Sequence, residues 1–179
     1  MEQLGSYINL LSAILVFIGL IYTARQLQAT KQIHSENHEW NRRLKSLSFS
    51  FSDKPEYIDI LKRLDEHFKI NSKKPEKISY DYIVKLSQEE YKEVFNDIHF
   101  VLARLESMCI AIENNIADED VCRYLLRTRV ITLNKIFTPY IDNAKHNRGS
   151  DDMFSHLQHY AKEWKNCKIN GKEALGKLK

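Results

Sequence analysis

The stretch Tyr7-Ile8-Asn9-Leu10-Leu11-Ser12-Ala13-Ile14-Leu15-Val16-Phe17-Ile18-Gly19-Leu20-Ile21-Tyr22 decides how this 179-residue chain is read. No Asp, Glu, Lys or Arg occurs between Gln3 and Ala24. A hydrocarbon core about 30 Å thick takes roughly 20 residues of helix at about 1.5 Å each, and the run has that length. A cleaved signal peptide needs a basic segment ahead of the run and a small-x-small site after it. Only Met1 and Glu2 stand ahead, and no such site precedes Arg25. Residues 1–24 therefore read as an uncleaved transmembrane segment, with Tyr7 and Tyr22 at its two ends. Arg25, Lys31, Arg42, Arg43 and Lys45 follow the segment while no Lys or Arg precedes it. The positive-inside rule then puts the N-terminus outside and the remainder in the cytoplasm.

Nothing stops the helix at residue 24. Between Arg25 and Leu47 there is no Gly or Pro, and good helix formers dominate, so one helix from about Ser6 to Leu47 is expected, with residues 25–50 as a juxtamembrane extension. Alternating steps of four and three residues along it pass Gly5, Asn9, Ser12, Val16, Gly19, Thr23, Gln26 and Thr30, then Ile33, Asn37, Trp40, Leu44 and Leu47. The stripe is small or polar where its surroundings are Leu, Ile, Val and Phe, and apolar where its surroundings are charged. Lipid demands apolar exposed positions and lets small residues mediate close helix packing; water demands the reverse. One face directed at other protein throughout has this inverted pattern, with a left-handed supercoil implied by the seven-residue repeat. Asn9, Ser12, Val16, Gly19, Thr23, Gln26 and Thr30 are the candidate helix-packing or pore-lining residues. The plainer reading is that single-pass anchors commonly carry a few Gly and Ser.

Residues 51–166 read as a helical cytoplasmic domain and 167–179 as a basic tail. With five Gly and three Pro there is little material for hairpins, and no period-2 alternation competes with the helical one. Pro55 opens a helix carrying Tyr57, Ile60, Leu61, Leu64 and Phe68, after a break with a capping residue at Ser52-Asp53-Lys54. A solvated loop at 71–77 and a short helix near Tyr80 to Leu86 follow. Ser87 and Glu90 form a capping box for the next helix, with apolar face Tyr91, Val94, Phe95, Ile98, Val101, Leu102, Leu105, Met108, Cys109 and Ile112. Asp118 caps another, with Cys122, Leu125, Leu126, Leu133, Ile136 and Phe137 inward and Pro139 kinking or ending it. A turn is expected over 143–149, then a last helix capped by Ser150 that buries Phe154, Leu157, Tyr160, Ala161 and Trp164. The fold class is all-α: one N-terminal transmembrane helix continuing into a helical bundle.

Chemistry is sparse. No Gly-rich phosphate loop, HExxH or GxSxG occurs, and no metal or cofactor is expected. His34 and His38, four apart, lack acids placed to complete a metal site. Cys109, Cys122 and Cys167 have no CxxC spacing; the first two fall on apolar faces and read as buried thiols. Small ribonucleases of the HEPN type use an Arg to polarise phosphate and a His a fixed short distance on to move a proton. The pair Arg63 and His67 is closer, and Arg148 and His156 further apart, than that spacing. Arg123, Arg127, Arg129 and Lys135 make a basic patch able to meet acidic lipid, RNA or a partner, without interleaved aromatic platforms.

The layout also carries a resemblance. Tyr22-Thr23-Ala24-Arg25-Gln26 through Trp40-Asn41-Arg42-Arg43, the Glu106 to Ala111 helix, Ile116-Ala117-Asp118-Glu119-Asp120 and Thr138-Pro139-Tyr140-Ile141 are similar to a group of prokaryotic single-pass proteins, and within it to the small membrane accessory proteins of type VI-B CRISPR loci, over essentially the whole length. That resemblance implies a divergent HEPN-like domain, Arg63, His67, Arg148 and His156 being its candidates, and a non-enzymatic role. It further implies a ring-shaped homo-oligomer in the bacterial inner membrane whose N-terminal helices form a pore. Such a pore enhances antiphage defence by an RNA-guided, RNA-cleaving effector through membrane depolarisation. The partners implied are other copies of the chain, the lipid bilayer and that effector, engaged through RNA or indirectly. The alternative is a membrane-tethered HEPN-type ribonuclease, RNA-binding adaptor or scaffold.

Overall fold

In the computed structural model the described residues are 2–52, 54–72, 78–86 and 92–167, with side chains described from Leu15 onward and at neither Tyr80 nor Arg148. The expected Ser87/Glu90 capping box, the side chains of Asn9 and Ser12, residues 73–77 of the expected loop and the basic tail beyond Cys167 lie outside these residues.

All regular structure among the described residues is helical, in the order α1 Glu2–Leu47, α2 Pro55–Phe68, α3 Tyr80–Leu86, α4 Lys92–Glu113, α5 Glu119–Ile136, α6 Thr138–Arg148 and α7 Ser155–Asn166. The uninterrupted 46-residue α1 matches the expectation from its composition. The chain divides into two compact units, residues 1–41 and 42–179.

The first unit is the greater part of α1. Among the described residues no helix is long and apolar enough to cross a membrane. The described side chains of the charge-free run are Leu15 to Ala24, shorter than the roughly 20 residues a span takes. These side chains have no cover: from Leu15 to Tyr22 the large apolar residues are 44–65% exposed, all round the helix.

The second unit is built on α4, whose Val94, Ile98, Val101, Leu102, Leu105, Met108, Cys109 and Ile112 are buried as their spacing predicts. Helices α2, α3, α5 and α7 pack against it, α5 also packs on α7, and α6 covers α3 and α5. Leu64, Phe51, Phe137 and Trp164 are almost wholly enclosed. Burial of such side chains contributes about 1.5–3 kcal/mol each, which is what selects this arrangement from helices that are individually marginal in water.

Four local expectations are corrected. At α2 the N-cap is Lys54 without a side-chain cap bond, Pro55 in the first turn setting the backbone instead. Leu125 is exposed, and the inward stripe of α5 is Val121, Cys122, Leu126, Val130, Leu133 and Ile136. Whereas α5 does end just ahead of Pro139, which sits in the first turn of α6, the stretch expected as a turn is helical to Arg148, closing on Gly149 at φ 60°. Lastly, Ser150 does not cap α7. That helix starts after Phe154, itself left-handed at φ 59°, and has no cap of its own.

Asp118 does cap α5, its carboxylate accepting from the Val121 N–H at 3.1 Å. The buried thiols behave as the sequence suggests. Burial foremost pushes both Cys109 and Cys122 up, Cys122 to about 11, whereas Cys167 is exposed. Because the thiolate is the reactive form, an aromatic disulfide reagent at pH 8 is expected to titrate Cys167 promptly and the other two only once denaturant is added. Rapid reaction of all three under native conditions would contradict this packing.

Candidate functional site

The exposed face of α1 is the most distinctive surface of the molecule. Val16, Gly19, Thr23, Gln26 and Thr30 follow one another by three and four residues, so they share a face, and all are exposed. The Thr23 hydroxyl donates to the Gly19 carbonyl at 2.8 Å, and Gln26 Nε2 donates to Tyr22 Oη at 3.3 Å. These polar groups are thus partly satisfied within the helix, the condition for placing them at a helix–helix contact in an apolar medium. A Cβ added at Gly19 would meet nothing within 4 Å, so nothing in the chain itself demands glycine there. Further along, Ile33, Trp40, Leu44 and Leu47 continue the face, Trp40 at 61% and Leu44 at 47% exposure. Large apolar side chains repeated on one exposed face mark a contact surface rather than a solvated one.

Among the described residues, the nuclease candidates Arg63 and His156 do not share one centre. Arg63, on α2, donates from Nε and Nη2 to the two carboxylate oxygens of Asp97 on α4, at 2.7 and 2.9 Å. That hydrogen bond, ahead of the attraction of neighbouring acids, raises the guanidinium further above its ordinary value. Its planar fork is engaged by a buried carboxylate, 6% exposed, which is the geometry of a helix-to-helix clamp. His67, exposed on α2, stacks obliquely on Phe68 with ring centroids 6.1 Å apart. His156, on α7, meets Glu106 Oε1 through Nδ1 at 2.8 Å and Glu113 Oε2 through Nε2 at 3.2 Å. Asp97 and Glu106 are nine residues apart on α4, a rise of about 13.5 Å. Arg63 and His156 therefore serve separate contacts. Arg148 has no described side chain. Among the described residues no cluster of three or more His, Cys, Asp or Glu is placed to hold a metal ion.

Glu106 supplies what α7 lacks. Its two oxygens accept the backbone N–H groups of His156 at 3.3 Å and Leu157 at 2.7 Å, capping the helix from fifty residues away. The basic patch is likewise occupied within the bundle. Arg123 pairs with Glu119 and Asp120, and Arg127 donates to the Trp164 and Cys167 carbonyls at the end of α7. Arg129 lies over the Phe51 ring at 5.5 Å, and burial lowers its pKa. Lys135 alone of the four is solvent-exposed.

The end of α1 is fastened in the second unit. Ser46 Oγ accepts the Asp118 N–H at 2.6 Å, and Arg42 Nη2 donates to the Ala117 carbonyl at 3.2 Å. From α4, Arg104 donates to the carbonyls of Ser48 and Ser50, at 2.6 and 3.4 Å, while lying 4.3 Å over the Tyr57 ring. Arg104→Leu is expected to cost about 1–3 kcal/mol by orphaning these carbonyls. Amide exchange of residues 48–51 should then be at least about fivefold faster; unchanged protection there would show that the carbonyls find other donors.

Sequence comparison places this geometry in a family: residues 11–164 match the domain of unknown function DUF4760. The chain belongs to that family. No curated protein and no solved structure matches it. The DUF4760 match starts inside the apolar run and ends at Trp164, so Leu11 to Tyr22 of that run, the fastened end of α1, helices α2 to α6 and all of α7 but its last two residues fall within the matched stretch.

The fork of Asp97, the capping by Glu106 and the Arg104 fastening were not foreseen from sequence. Their common signal is positional. Asp97 stands three after Val94 and four before Val101, and Arg104 three after Val101 and four before Met108, so each is a charge on the margin of an apolar stripe. A charge there needs a partner from another element.

Proposed function

We propose that copies of this protein assemble through the small and polar face of α1 within a membrane and form a pore there. The observation that carries the reading is α1 itself: large apolar side chains from Leu15 to Tyr22 stand exposed around the whole helix, interrupted only on the Gly19–Thr23 face. In water this surface would cost about 25 cal/mol per Å². Lipid against the Leu, Ile and Phe side and protein against the other removes the cost. The charge-free stretch Gln3 to Ala24 supplies the length, and the Lys and Arg that follow it favour a cytoplasmic second unit. One helix has too little surface to enclose a channel, so the pore is a ring of several copies with Asn9, Ser12, Val16, Gly19 and Thr23 at contacts or lumen. On the resemblance noted above, the ring works beside an RNA-guided, RNA-cleaving effector in antiphage defence, depolarising the inner membrane of the bacterium.

The test is reconstitution of the full chain. Mass photometry in detergent should give a multiple of the 21.1 kDa chain, and proteoliposomes should discharge an imposed potassium potential. A monomer at all concentrations, or release of the chain from membranes by alkaline carbonate, overturns the reading. An oligomer that leaves the potential intact identifies a scaffold instead.

A further inference from the structure

Away from α1 and from the charged contacts, the second unit contains a cleft of about 320 Å³ between α4, α6 and the segment entering α7. Its chemistry differs from the rest of the surface. Three carboxamides line it, Asn96 from α4 and Asn143 and Asn147 from α6, and no lining residue carries a carboxylate, ammonium or guanidinium group. Asn147 Nδ2 donates to Asn143 Oδ1 at 2.9 Å, which aligns two amides in a row. The rings of Phe95 and Tyr140, edge to face at 5.3 Å, and the Met153 side chain also line it. His99 Nδ1 meets Tyr140 Oη at 3.0 Å, and its Nε2 has no partner among the described residues.

Each feature narrows the occupant. The volume is at the lower end of small-molecule sites, about 300–1,000 Å³, so a ligand the size of a nucleoside fits and a peptide does not. Aromatic rings and a thioether favour a flat, polarisable body. A carboxamide offers a donor and an acceptor side by side, which complements the donor–acceptor edge of a heterocycle; asparagine reads adenine in this way. The want of charged lining groups disfavours a ligand held mainly by an ionic head.

We infer that this cleft between α4 and α6 is a binding site for the base of a nucleoside or nucleotide, its edge read by Asn96, Asn143 and Asn147 and its face laid on Phe95, Tyr140 and Met153. The inference is independent of the membrane reading, since every residue involved lies in the second unit. Asn96 and Asn147 are exposed, so their replacement leaves the core intact. Saturation-transfer NMR on the full chain in detergent, with adenosine, guanosine, cytidine and uridine as probes and ribose 5-phosphate as the base-free control, tests it. At least one nucleoside should bind saturably and ribose 5-phosphate should not. Asn96→Leu and Asn147→Leu should each weaken that binding about tenfold, the loss of a single good hydrogen bond, with unchanged thermal melts. His99→Phe keeps ring packing against Phe154 and should weaken binding only where the base engages Nε2. Absence of saturable binding by all four nucleosides, equal binding of ribose 5-phosphate, or undiminished binding by the Asn96→Leu/Asn147→Leu double variant overturns the assignment.

Discussion

On the proposed assembly, replacing Gly19 with leucine is expected to convert oligomers to monomers while leaving each chain folded. The two halves of that expectation rest on different facts. Within the chain, the position is open: no heavy atom lies within 4 Å of a Cβ built there. Leucine is also a better helix former than glycine by roughly 0.5–1 kcal/mol, so α1 should gain slightly in intrinsic stability. Between chains, the absence of a side chain is what lets two helix backbones approach. In the proposed ring a leucine in every copy would hold the helices apart at every contact, and the concentration for half-dissociation should rise by at least about tenfold, the equivalent of about 1.4 kcal/mol. Thr23→Leu, which also removes the hydroxyl bond to the Gly19 carbonyl, should act in the same direction. Ile21→Leu, two residues on and on the opposite side of the helix, is the control and should assemble normally. Mass photometry and the discharge of an imposed potential read the outcome. Full assembly and undiminished flux in Gly19→Leu would remove the α1 face from the mechanism.

The largest effect on stability should come from Trp164→Ala. Trp164, on α7, is fully enclosed, its indole N–H donates to Glu119 Oε1 of α5 at 3.0 Å, and its ring lies 5.7 Å from that of Tyr160. Truncation removes the largest buried side chain and leaves a cavity, at a cost of about 3–5 kcal/mol. At roughly 2–4 °C per kcal/mol for a chain of this size, circular dichroism should record a melting point lower by about 6–20 °C. Trp164→Phe, which retains most of the volume, should lose less than half as much. A melt displaced by no more than a degree or two in Trp164→Ala would mean that α7 is not held by this residue.

The helices could be read from the chain wherever a long apolar period repeats, as in α4, or where Gly and Pro are absent for a long distance, as from Arg25 to Leu47. What escaped was decided by contacts remote in sequence. The stretch 143–149 has turn-like composition, Asn143, His146, Asn147 and Gly149, yet Tyr140, Ile141 and Ala144 have enough core to lie on that α6 forms above α3 and α5. Ser150 is a good local cap, but the chain between it and α7 takes a left-handed turn at Phe154 that buries the Phe154 ring. Burial of an aromatic side chain outweighs a single capping bond. At the candidate site, the face of α1 was visible because its pattern inverts along the helix. The neutral cleft was not, since Asn96, His99, Tyr140 and Asn147 become neighbours only when α6 lies against α4.

The remote cap on α7 also bears on the order in which the chain acquires its structure. A twelve-residue helix lacking a cap of its own has little tendency to form alone. Its first turn waits for a carboxylate fifty residues upstream, and its inner face waits for α4 and α5 together. Emerging from the ribosome after α4 and α5, this segment finds that platform already made and closes on it, so the bundle becomes whole only once α7 has been synthesised. A chain cut short ahead of Trp164 would leave α4 and α5 with an uncovered apolar flank, the kind of surface by which quality control recognises an unfinished protein.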